Sequence, residues 1–396
     1  MKRAARFCAL LLGLGLLGCG RQELDLLVGT GSDDPCQTFQ SEGECDANAA
    51  LGCSFQPNAE GCQSSDPSCQ PGMCRNGDPF VRRVERSFFL NGEPFRFVGV
   101  SSWALLEGSQ CTTGKPEDRE AWMQRAYDDL VPSRSKVARF FAFQSSAGPS
   151  GTDFTLFDSS VRYARRAGVR LIFIIEHATG NCSKGGQREN AWYAGGYQSP
   201  DSGYALSYRD FAQALAQRYR DEPTVLGYVL IQGLGDNTDG TALPGFVTEM
   251  GQLLHGVAPN QLVSLDLSWN GGGPDGGAAY RALQQLPAVD LVDIDDYSFQ
   301  DTLEPLDPAL LETLGAIDKP AIVGEGAFVV DSGDDATLAK RAERARQRLN
   351  EWRNWGFSGA LLWAYQPDWS AASEEFDARP TDPLLQPGGV VANAPW

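Results

Sequence analysis

Short, almost unbroken apolar stretches alternate with longer amphipathic stretches from Phe80 onward. Eight of these apolar stretches are rich in Val, Ile, Leu and Phe, and they cover residues 94–100, 137–141, 170–175, 225–231, 262–267, 289–294, 321–323 and 359–363. Continuous stretches of this kind are typical of parallel strands that are buried on both faces of a sheet. The pattern therefore predicts parallel strands with helices between them.

Three of the intervening stretches have the period of an amphipathic helix. One places four bulky side chains on a single helical face: Tyr208, Phe211, Leu215 and Tyr219. Residues 338–355 repeat this period, with an Arg-rich opposite face that is predicted to point outward. The apolar face of this second helix contains Ala342, Ala345, Leu349 and Trp352. Gly168 is predicted to end a third helix over residues 156–167.

The alternation of strands and helices predicts an α/β fold, a (β/α)8 TIM barrel over residues 79–396. The alternative is a doubly wound open sheet, but no Gly-rich dinucleotide fingerprint follows the first strand. In a (β/α)8 barrel the functional site lies at the carboxyl ends of the strands.

The amino terminus has the pattern of an export signal. Lys2, Arg3 and Arg6 precede an apolar stretch over residues 9–17, which is shorter than the ~20 residues that a membrane-spanning helix needs. The sequence LLGC at residues 16–19 resembles the lipobox of bacterial lipoproteins. This resemblance implies cleavage before Cys19, lipidation of Cys19, and a membrane-anchored protein of the bacterial cell envelope that faces the periplasm or the cell surface. The alternative is an ordinary signal peptide in which the cysteine is incidental.

A cysteine-rich segment precedes the predicted barrel. Residues 20–35 are polar and Gly/Asp-rich, as expected for a tether, and six cysteines follow within residues 36–78: Cys36, Cys45, Cys53, Cys62, Cys69 and Cys74. An even number in an exported chain predicts disulfides, whereas the alternative, zinc, lacks both a Cys-x-x-Cys pair and a nearby histidine. We predict a disulfide-bonded stalk rather than a binding module or a cover for the barrel. Cys111 and Cys182, in loops of the barrel, are predicted to pair with each other.

Composition narrows the chemistry that the chain can perform. The 396 residues include 33 Lys and Arg against 51 Asp and Glu, a formal net charge of -18, which disfavours nucleic acid as a partner and favours a neutral or cationic one. The only histidines are His177 and His255, so carboxylates must carry any acid–base chemistry. We predict no metal and no nucleotide cofactor, because the sequence has no Walker-type loop, dinucleotide fingerprint or HExxH motif.

Polar and aromatic residues follow most of the predicted strands. In chain order they are Arg139; Glu176 and His177; Gln232, Asp236 and Asn237; Asp293, Asp295, Asp296 and Tyr297; Glu325; and Trp363 and Tyr365. Paired carboxylates suit glycoside hydrolysis, and aromatic faces stack on sugar rings. The alternative is a structural ion pair between Arg139 and Glu325, with Trp103, Trp192, Trp269 and Trp363 as ordinary core or rim side chains.

Several of these motifs resemble family 5 glycoside hydrolases, in particular endo-β-mannanases. FFLNGEPFRFVGVSSW at residues 88–103 resembles the opening strand of that family, and the likeness extends over most of residues 88–365. Five further motifs resemble later strands of the family. They are VARFFAF for the second strand, GVRLIFIIEHATGN for the third, VDLVDIDDY for the sixth, KPAIVGEGAF for the seventh and GALLWAY for the eighth. Gly185, Gly186 and Trp192 resemble the long loop after the third strand of mannanases.

The resemblance implies roles for individual residues. Glu325 occupies the position of the nucleophile, Arg139 that of the arginine that orients it, and Trp363 that of the aromatic floor under the cleaved sugar. The predicted substrate-binding residues are Arg139, Glu176, His177, Trp192, Gln232, Asp295, Tyr297 and Trp363.

Two positions depart from the family pattern. The fourth strand of the family ends in an Asn-Glu pair, in which the Glu is the acid/base, but this chain has Gln232 and Gly233. Asp295 replaces a histidine two residues before the active-site tyrosine, Tyr297. Loss of general acid–base help typically lowers the rate by ~10²- to 10⁴-fold.

Three hypotheses remain open. In the first, the barrel binds a β-linked polysaccharide of mannan or cellulose type with lost or weakened hydrolysis. In the second, it hydrolyses such a glycan with Glu325 as nucleophile and a relocated acid, for which the candidates are Asp236, Asp295 and Glu176. In the third, it is a structural surface lipoprotein with a vestigial cleft. An open aromatic cleft with no carboxylate within reach of Glu325 would favour binding without hydrolysis. A carboxylate within reach of Glu325 would favour hydrolysis, and a filled cleft would favour the structural role.

Overall fold

A computed structural model of the chain describes most of the residues from 79 onward. The described ranges are 79–107, 118–180, 186–201, 203–234, 241–267, 278–298, 305–330, 335–367 and 376–396, together with the backbone of two short strands at 53–56 and 73–76. The two short strands, β1 (Cys53–Gln56) and β2 (Met73–Asn76), form an antiparallel pair.

Eight parallel strands form a closed barrel, which confirms the predicted fold class. Along the chain they are β6 (Phe97–Ser101), β7 (Val137–Phe141), β8 (Arg170–Ile174), β9 (Val225–Val229), β10 (Leu262–Asp266), β11 (Leu291–Ser298), β12 (Ala321–Phe328) and β13 (Gly359–Trp363). Each strand pairs with the next one along the chain, and β13 pairs with β6 to complete the circle. The carboxyl ends of all eight strands therefore meet at one mouth.

An antiparallel sheet of three strands precedes the barrel: β3 (Arg82–Val84), β4 (Ser87–Leu90) and β5 (Glu93–Phe95). Phe88 of β4 is buried and stacks on Phe97 at the start of β6, with the ring centroids 6.2 Å apart. The predicted first strand, 94–100, is thus two elements, because Pro94 belongs to this sheet and only the residues from Phe97 belong to the barrel.

Helices accompany the strands. They are α1 (Ala104–Glu107), α2 (Arg119–Leu130), α3 (Thr155–Ala167), α4 (Asn190–Tyr193), α5 (Tyr208–Arg218), α6 (Leu243–Val257), α7 (Ala278–Gln284), α8 (Pro308–Gly315) and α9 (Asp335–Asn354). Gly168 ends α3 in the left-handed conformation with φ of 70°, as predicted. The predicted apolar face of α5 is buried as well.

The prediction of an outward Arg-rich face on α9 was wrong in part, because, of its arginines, only Arg346 and Arg353 are exposed. Arg341, Arg344 and Arg348 are buried, because the carboxyl-terminal segment 376–396, the loop after β12 and Asp296 of β11 respectively supply acceptors for their guanidinium groups. Arg341 pairs with the Asp382 carboxylate and donates to the Asp377 carbonyl oxygen, and Arg344 donates to the Val329 carbonyl oxygen. Arg341 thus holds the carboxyl-terminal segment against α9.

Several predictions fall on residues outside the described part. The export signal, Cys19, the tether, the loop cysteines Cys111 and Cys182, and most of the cysteine-rich segment lie there, and of Cys53 and Cys74 only the backbone is described. Their lipidation and disulfides therefore stay predictions. None of the helices in the described ranges is both long enough and apolar enough to cross a membrane.

Candidate functional site

A buried arginine forms the centre of the barrel mouth. Arg139 lies on β7, is fully buried, and binds two carboxylates with the two ends of its guanidinium group. Its Nη2 lies 2.6 Å from Asp266 Oδ2 and its Nη1 lies 3.1 Å from Asp293 Oδ2. The same Nη2 lies 3.6 Å from Oε1 of Glu325. The arginine therefore joins β10, β11 and β12 through one carboxylate on each strand.

Glu325 is held by two further donors. The Gln232 side-chain amide donates a hydrogen bond to Oε1 of Glu325, and the Tyr297 hydroxyl donates one to Oε2. Glu325 is 3% exposed and Gln232 4% exposed, so these bonds are sheltered from water. Because both oxygens of the carboxyl group accept, its orientation in the mouth is fixed.

A bulge in β12 sets the position of Glu325. Ile294 of β11 pairs with Val323, but the next residue, Asp295, pairs with Glu325, so Gly324 is an extra residue in β12. The pairing of β12 with β13 shifts over the same residues. Bulges re-aim side chains next to functional sites, and here the bulge brings Glu325 level with Asp295.

The barrel mouth contains more carboxyl groups than cationic groups among the described residues. Asp266, Asp293, Asp295 and Glu325 surround the single guanidinium group of Arg139. Burial raises the pKa of Glu325 to about 7 and that of Asp293 to about 8, although Arg139 opposes both shifts. Burial, together with the charges of Asp266 and Glu325, raises the pKa of Asp295 well above its usual range. The cluster therefore retains protons at a pH where exposed carboxylates are ionised.

These shifts predict that the protein becomes less stable as the pH rises from about 4 to about 8. In this window the unfolded carboxyl groups are ionised while Glu325 and Asp293 still bind protons in the folded state. Because the folded state binds more protons, its free energy of unfolding falls as the pH increases. Urea unfolding at about pH 5 and about pH 8 measures the difference.

The control for this prediction is Glu325→Gln. The variant removes one titrating group and weakens the repulsion on Asp293, so its stability is expected to vary less with pH than that of the wild type. An equal pH dependence in both proteins would show that the mouth carboxyl groups do not cause it.

Glu176 and His177 lie at the end of β8. The Glu176 carboxylate accepts the His177 backbone N–H at 2.8 Å and pairs with Arg188 at 2.7 Å, and Arg188 also pairs with Asp201 at 2.7 Å. Glu176 is therefore engaged by Arg188, and within the described ranges no contact joins it to Glu325. Burial and the charge of Arg139 lower the pKa of His177 to about 4, so its imidazole is neutral at ordinary pH.

Two aromatic side chains accompany His177 at the mouth. Phe141, the last residue of β7, has its ring centroid 6.5 Å from that of His177 and 6.1 Å from that of Trp363. Trp363 and Phe141 are both partly exposed. The predicted Trp192 lies elsewhere, in a cluster with Tyr208 and Phe246 and under the Arg188 guanidinium group.

The structure brings together five of the predicted site residues at the Arg139 cluster: Arg139, Gln232, Asp295, Tyr297 and Glu325. His177 and Trp363 lie on the Phe141 side, and Asp236 lies outside the described residues. Two neighbouring rim residues point away from the mouth, since Asp296 accepts from Trp352 of α9 and Tyr365 donates to the Ala126 carbonyl oxygen.

Asp266 and Phe141 were not among the site residues predicted from the sequence. Asp266 ends a strand in which Ser264 is the only other polar residue, and a buried carboxylate requires a partner, so the sequence did contain a signal for Asp266. Phe141 had no comparable signal, because an aromatic residue at the end of an apolar strand is indistinguishable from a core residue. Among the described residues, no group of three or more His, Cys, Asp or Glu side chains has an arrangement that would hold a metal ion.

Comparison with known proteins identifies relatives by structure alone. No family model matches the sequence, and no curated protein matches it either. The endo-1,4-β-mannanase of Rhizomucor miehei superposes with a TM-score of 0.59 at 15% identity, covering 80% of this chain and 97% of the mannanase. A family 5 mannosidase from the same organism gives 0.57 at 14% identity, covering 80% of this chain and 96% of the mannosidase.

A third solved structure agrees with these two. The endo-β-1,4-mannanase of Thermotoga petrophila gives a TM-score of 0.56 at 17% identity, covering 77% of this chain and 76% of the enzyme. At identities this low, the superpositions establish the fold alone. They confirm the fold that the resemblance in the sequence implied. The chain thus has the (β/α)8 barrel fold of the family 5 glycoside hydrolases of mannanase type.

Proposed function

We propose that the barrel mouth binds a β-linked polysaccharide of mannan or cellulose type, and that hydrolysis of this glycan is lost or weakened. The observation that carries the proposal is the state of the two catalytic positions. Glu325 is held by Arg139, Gln232 and Tyr297, whereas the position of the acid is Gly233, which has no side chain to donate a proton. Such a site retains contacts for a sugar but lacks the group that protonates the leaving oxygen.

Unsatisfied acceptors at the mouth support the binding of hydroxyl groups. Within the described part of the chain, Gln232 Oε1 and Asp295 Oδ1 are buried and have no hydrogen-bond partner. Buried polar atoms normally have partners, and sugar hydroxyls supply O–H donors. Trp363 and Phe141 add aromatic surface of the kind that packs on the apolar face of a sugar ring.

Two of the structurally similar proteins have been solved with sugars. One is the Rhizomucor miehei mannosidase in complex with mannosyl-fructose, and the other is the Thermotoga petrophila mannanase with maltose and glycerol. These complexes are consistent with a glycan as the ligand of the same fold. We keep mannan and cellulose as the first glycans to test.

Residual hydrolysis is the second candidate, and Asp295 supports it. Asp295 lies beside Glu325 in the strand register, and its raised pKa would keep it protonated as a general acid requires. Of the other two candidate acids, Glu176 is engaged by Arg188, and Asp236 lies outside the described residues. In this mechanism Glu325 would attack the anomeric carbon while Asp295 protonates the leaving oxygen.

Paired assays separate the two candidates. The full chain is incubated with β-mannan, cellulose and aryl glycosides that have an activated leaving group, using the wild type, Glu325→Gln and Asp295→Asn. We expect β-mannan in a native gel to retard the wild type. We also expect the wild type to release no more reducing sugar than Glu325→Gln does. Polysaccharide cleavage abolished by Glu325→Gln and by Asp295→Asn would instead establish hydrolysis with Asp295 as the acid.

Cleavage of the activated glycosides alone would indicate a nucleophile without its acid, in agreement with weakened hydrolysis. Absence of both glycan binding and cleavage would leave the structural role with a vestigial cleft. We also propose that the lipid on Cys19 anchors the protein in the cell envelope, which mass spectrometry of the membrane fraction and a Cys19→Ser variant would test.

A further inference from the structure

The space beside Gly233 is filled by a histidine ring. A Cβ atom built on Gly233 would lie 2.9 Å from Cε1 and 3.0 Å from Nε2 of His177. Contacts this close are essentially absent between a real Cβ and its neighbours, so any side chain at position 233 must displace the imidazole. Gly233 also has φ of +69°, a conformation that favours glycine.

Backbone hydrogen bonds fix the two residues against each other. The Gln232 N–H donates to the Glu176 carbonyl oxygen at 2.9 Å, and the Ala178 N–H donates to the Gln232 carbonyl oxygen at 2.8 Å. Gln232, the residue before Gly233, makes both bonds, and they lie on either side of His177 in the segment that follows β8. The imidazole therefore cannot leave this space by a simple shift of its backbone.

The hydrogen bonds of the imidazole determine its tautomer. His177 Nδ1 accepts the Thr179 backbone N–H at 3.2 Å and lies 2.8 Å from the Thr179 hydroxyl. Because a backbone N–H can only donate, Nδ1 carries no proton and the neutral ring carries its proton on Nε2. Among the described residues, Nε2 has no hydrogen-bond partner. This N–H is thus a free donor at the position where the acid side chain is missing.

We propose that His177 occupies the space of the acid missing at position 233 and donates its Nε2–H to an oxygen of the bound glycan. Donation to a glycan oxygen rests on the proposed function, whereas occupation of the space beside Gly233 does not. A neutral imidazole N–H is a good hydrogen-bond donor but a poor acid, so it would hold a glycan oxygen without protonating it. His177 would then convert a cleaving position into a binding position.

A double-mutant cycle tests the occupation of the space without any ligand. Gly233→Ala is made in the wild type and in His177→Ala, and the thermal midpoints of all four proteins are compared. The penalty for the positive φ is common to both backgrounds and cancels. We expect Gly233→Ala to lower the midpoint by about 2 °C more when the imidazole is present. Equal decreases of the thermal midpoint in the two backgrounds would overturn the occupation of this space by His177.

Nitrogen NMR of the full wild-type chain tests the donor, and it does not depend on a variant that folds. The chain has only His177 and His255, and His255 on α6 pairs with Asp290 away from the mouth, so it serves as an internal control. We expect the His177 ring to be protonated on Nε2, and the Nε2–H resonance to shift when β-1,4-mannohexaose is added. A resonance that does not move while the oligosaccharide binds would overturn the donor role.

Affinity measurements with mannohexaose complete the test. His177→Leu is expected to weaken binding about tenfold, whereas His177→Gln, which keeps a side-chain N–H, retains most of the affinity. Equal affinities of His177→Leu and the wild type would overturn the donor role while the proposed function stands. Failure of the wild type to bind any glycan would overturn the proposed function and the donor role together, and the double-mutant cycle would still decide the occupation of the space.

Discussion

Arg139→Met is expected to lower the free energy of unfolding by about 3–5 kcal/mol at neutral pH, because loss of one partner leaves buried charges uncompensated. Arg139 is the only cation among the described contacts of the mouth carboxylates Asp266, Asp293 and Glu325. The loss should be smaller at about pH 5, where the unpaired carboxyl groups take up protons. Urea unfolding of the variant and the wild type at both pH values measures the effect.

The matched control is Arg346→Met. Arg346 pairs with Glu343 on the outer surface of α9, where both side chains are more than half exposed, so its loss should cost about 0–1 kcal/mol. Similar losses for the two variants would contradict the role of Arg139 as the compensating charge of the mouth.

Gly324→Ala is expected to have the second largest effect. A Cβ at this position would overlap Nη1 of Arg139 and Oδ1 of Asp293, two buried atoms that bind each other. Because Gly324 is also the extra residue of the β12 bulge, its substitution would displace the guanidinium group and re-aim Glu325. We expect a loss of about 1–3 kcal/mol in stability from overpacking, together with loss of glycan binding.

Gly315→Ala provides the comparison for this substitution. Gly315 ends α8, and no atom lies within 4 Å of a Cβ built there, so alanine should be neutral or slightly stabilising. Urea unfolding and native-gel retardation in β-mannan of both variants form the measurement. Unchanged stability and binding in Gly324→Ala would contradict the close packing of Arg139 against the bulge.

The barrel strands were predictable because each contains a short, largely apolar stretch. Val137–Phe141 and Gly359–Trp363 were predicted to the residue, and the polar residues Lys136 and Ser358 mark where they begin. The burial of Arg341 on α9 was not predictable, because it depends on Asp382 and the Asp377 carbonyl oxygen in a segment that packs there only in the folded chain. Helical periodicity reports the apolar face of a helix and contains no information on what covers the other face.

Site residues that lie in motifs resembling the family were predictable from the sequence. Contacts between residues that are far apart in the sequence were not. Glu325 and Tyr297 were predicted separately from their motifs, and the structure joins them by a hydrogen bond. The contact of Gly233 with His177 joins the segments that follow two different strands, and no local pattern reveals it. The bulge at Gly324 is similarly invisible, because it is defined by the register of the neighbouring strands.

The most direct measurement is a calorimetric titration of the full chain with β-1,4-mannohexaose, followed by chromatography of the same sample to detect shorter products. The expected result is saturable binding with the oligosaccharide recovered intact, and clearly weaker binding by Trp363→Ala because the aromatic surface for the sugar ring is lost. Absence of binding to mannohexaose and to the matching cello-oligosaccharide would contradict a glycan site. Binding followed by complete cleavage would contradict the lost or weakened hydrolysis and would show that another group supplies the acid missing at Gly233.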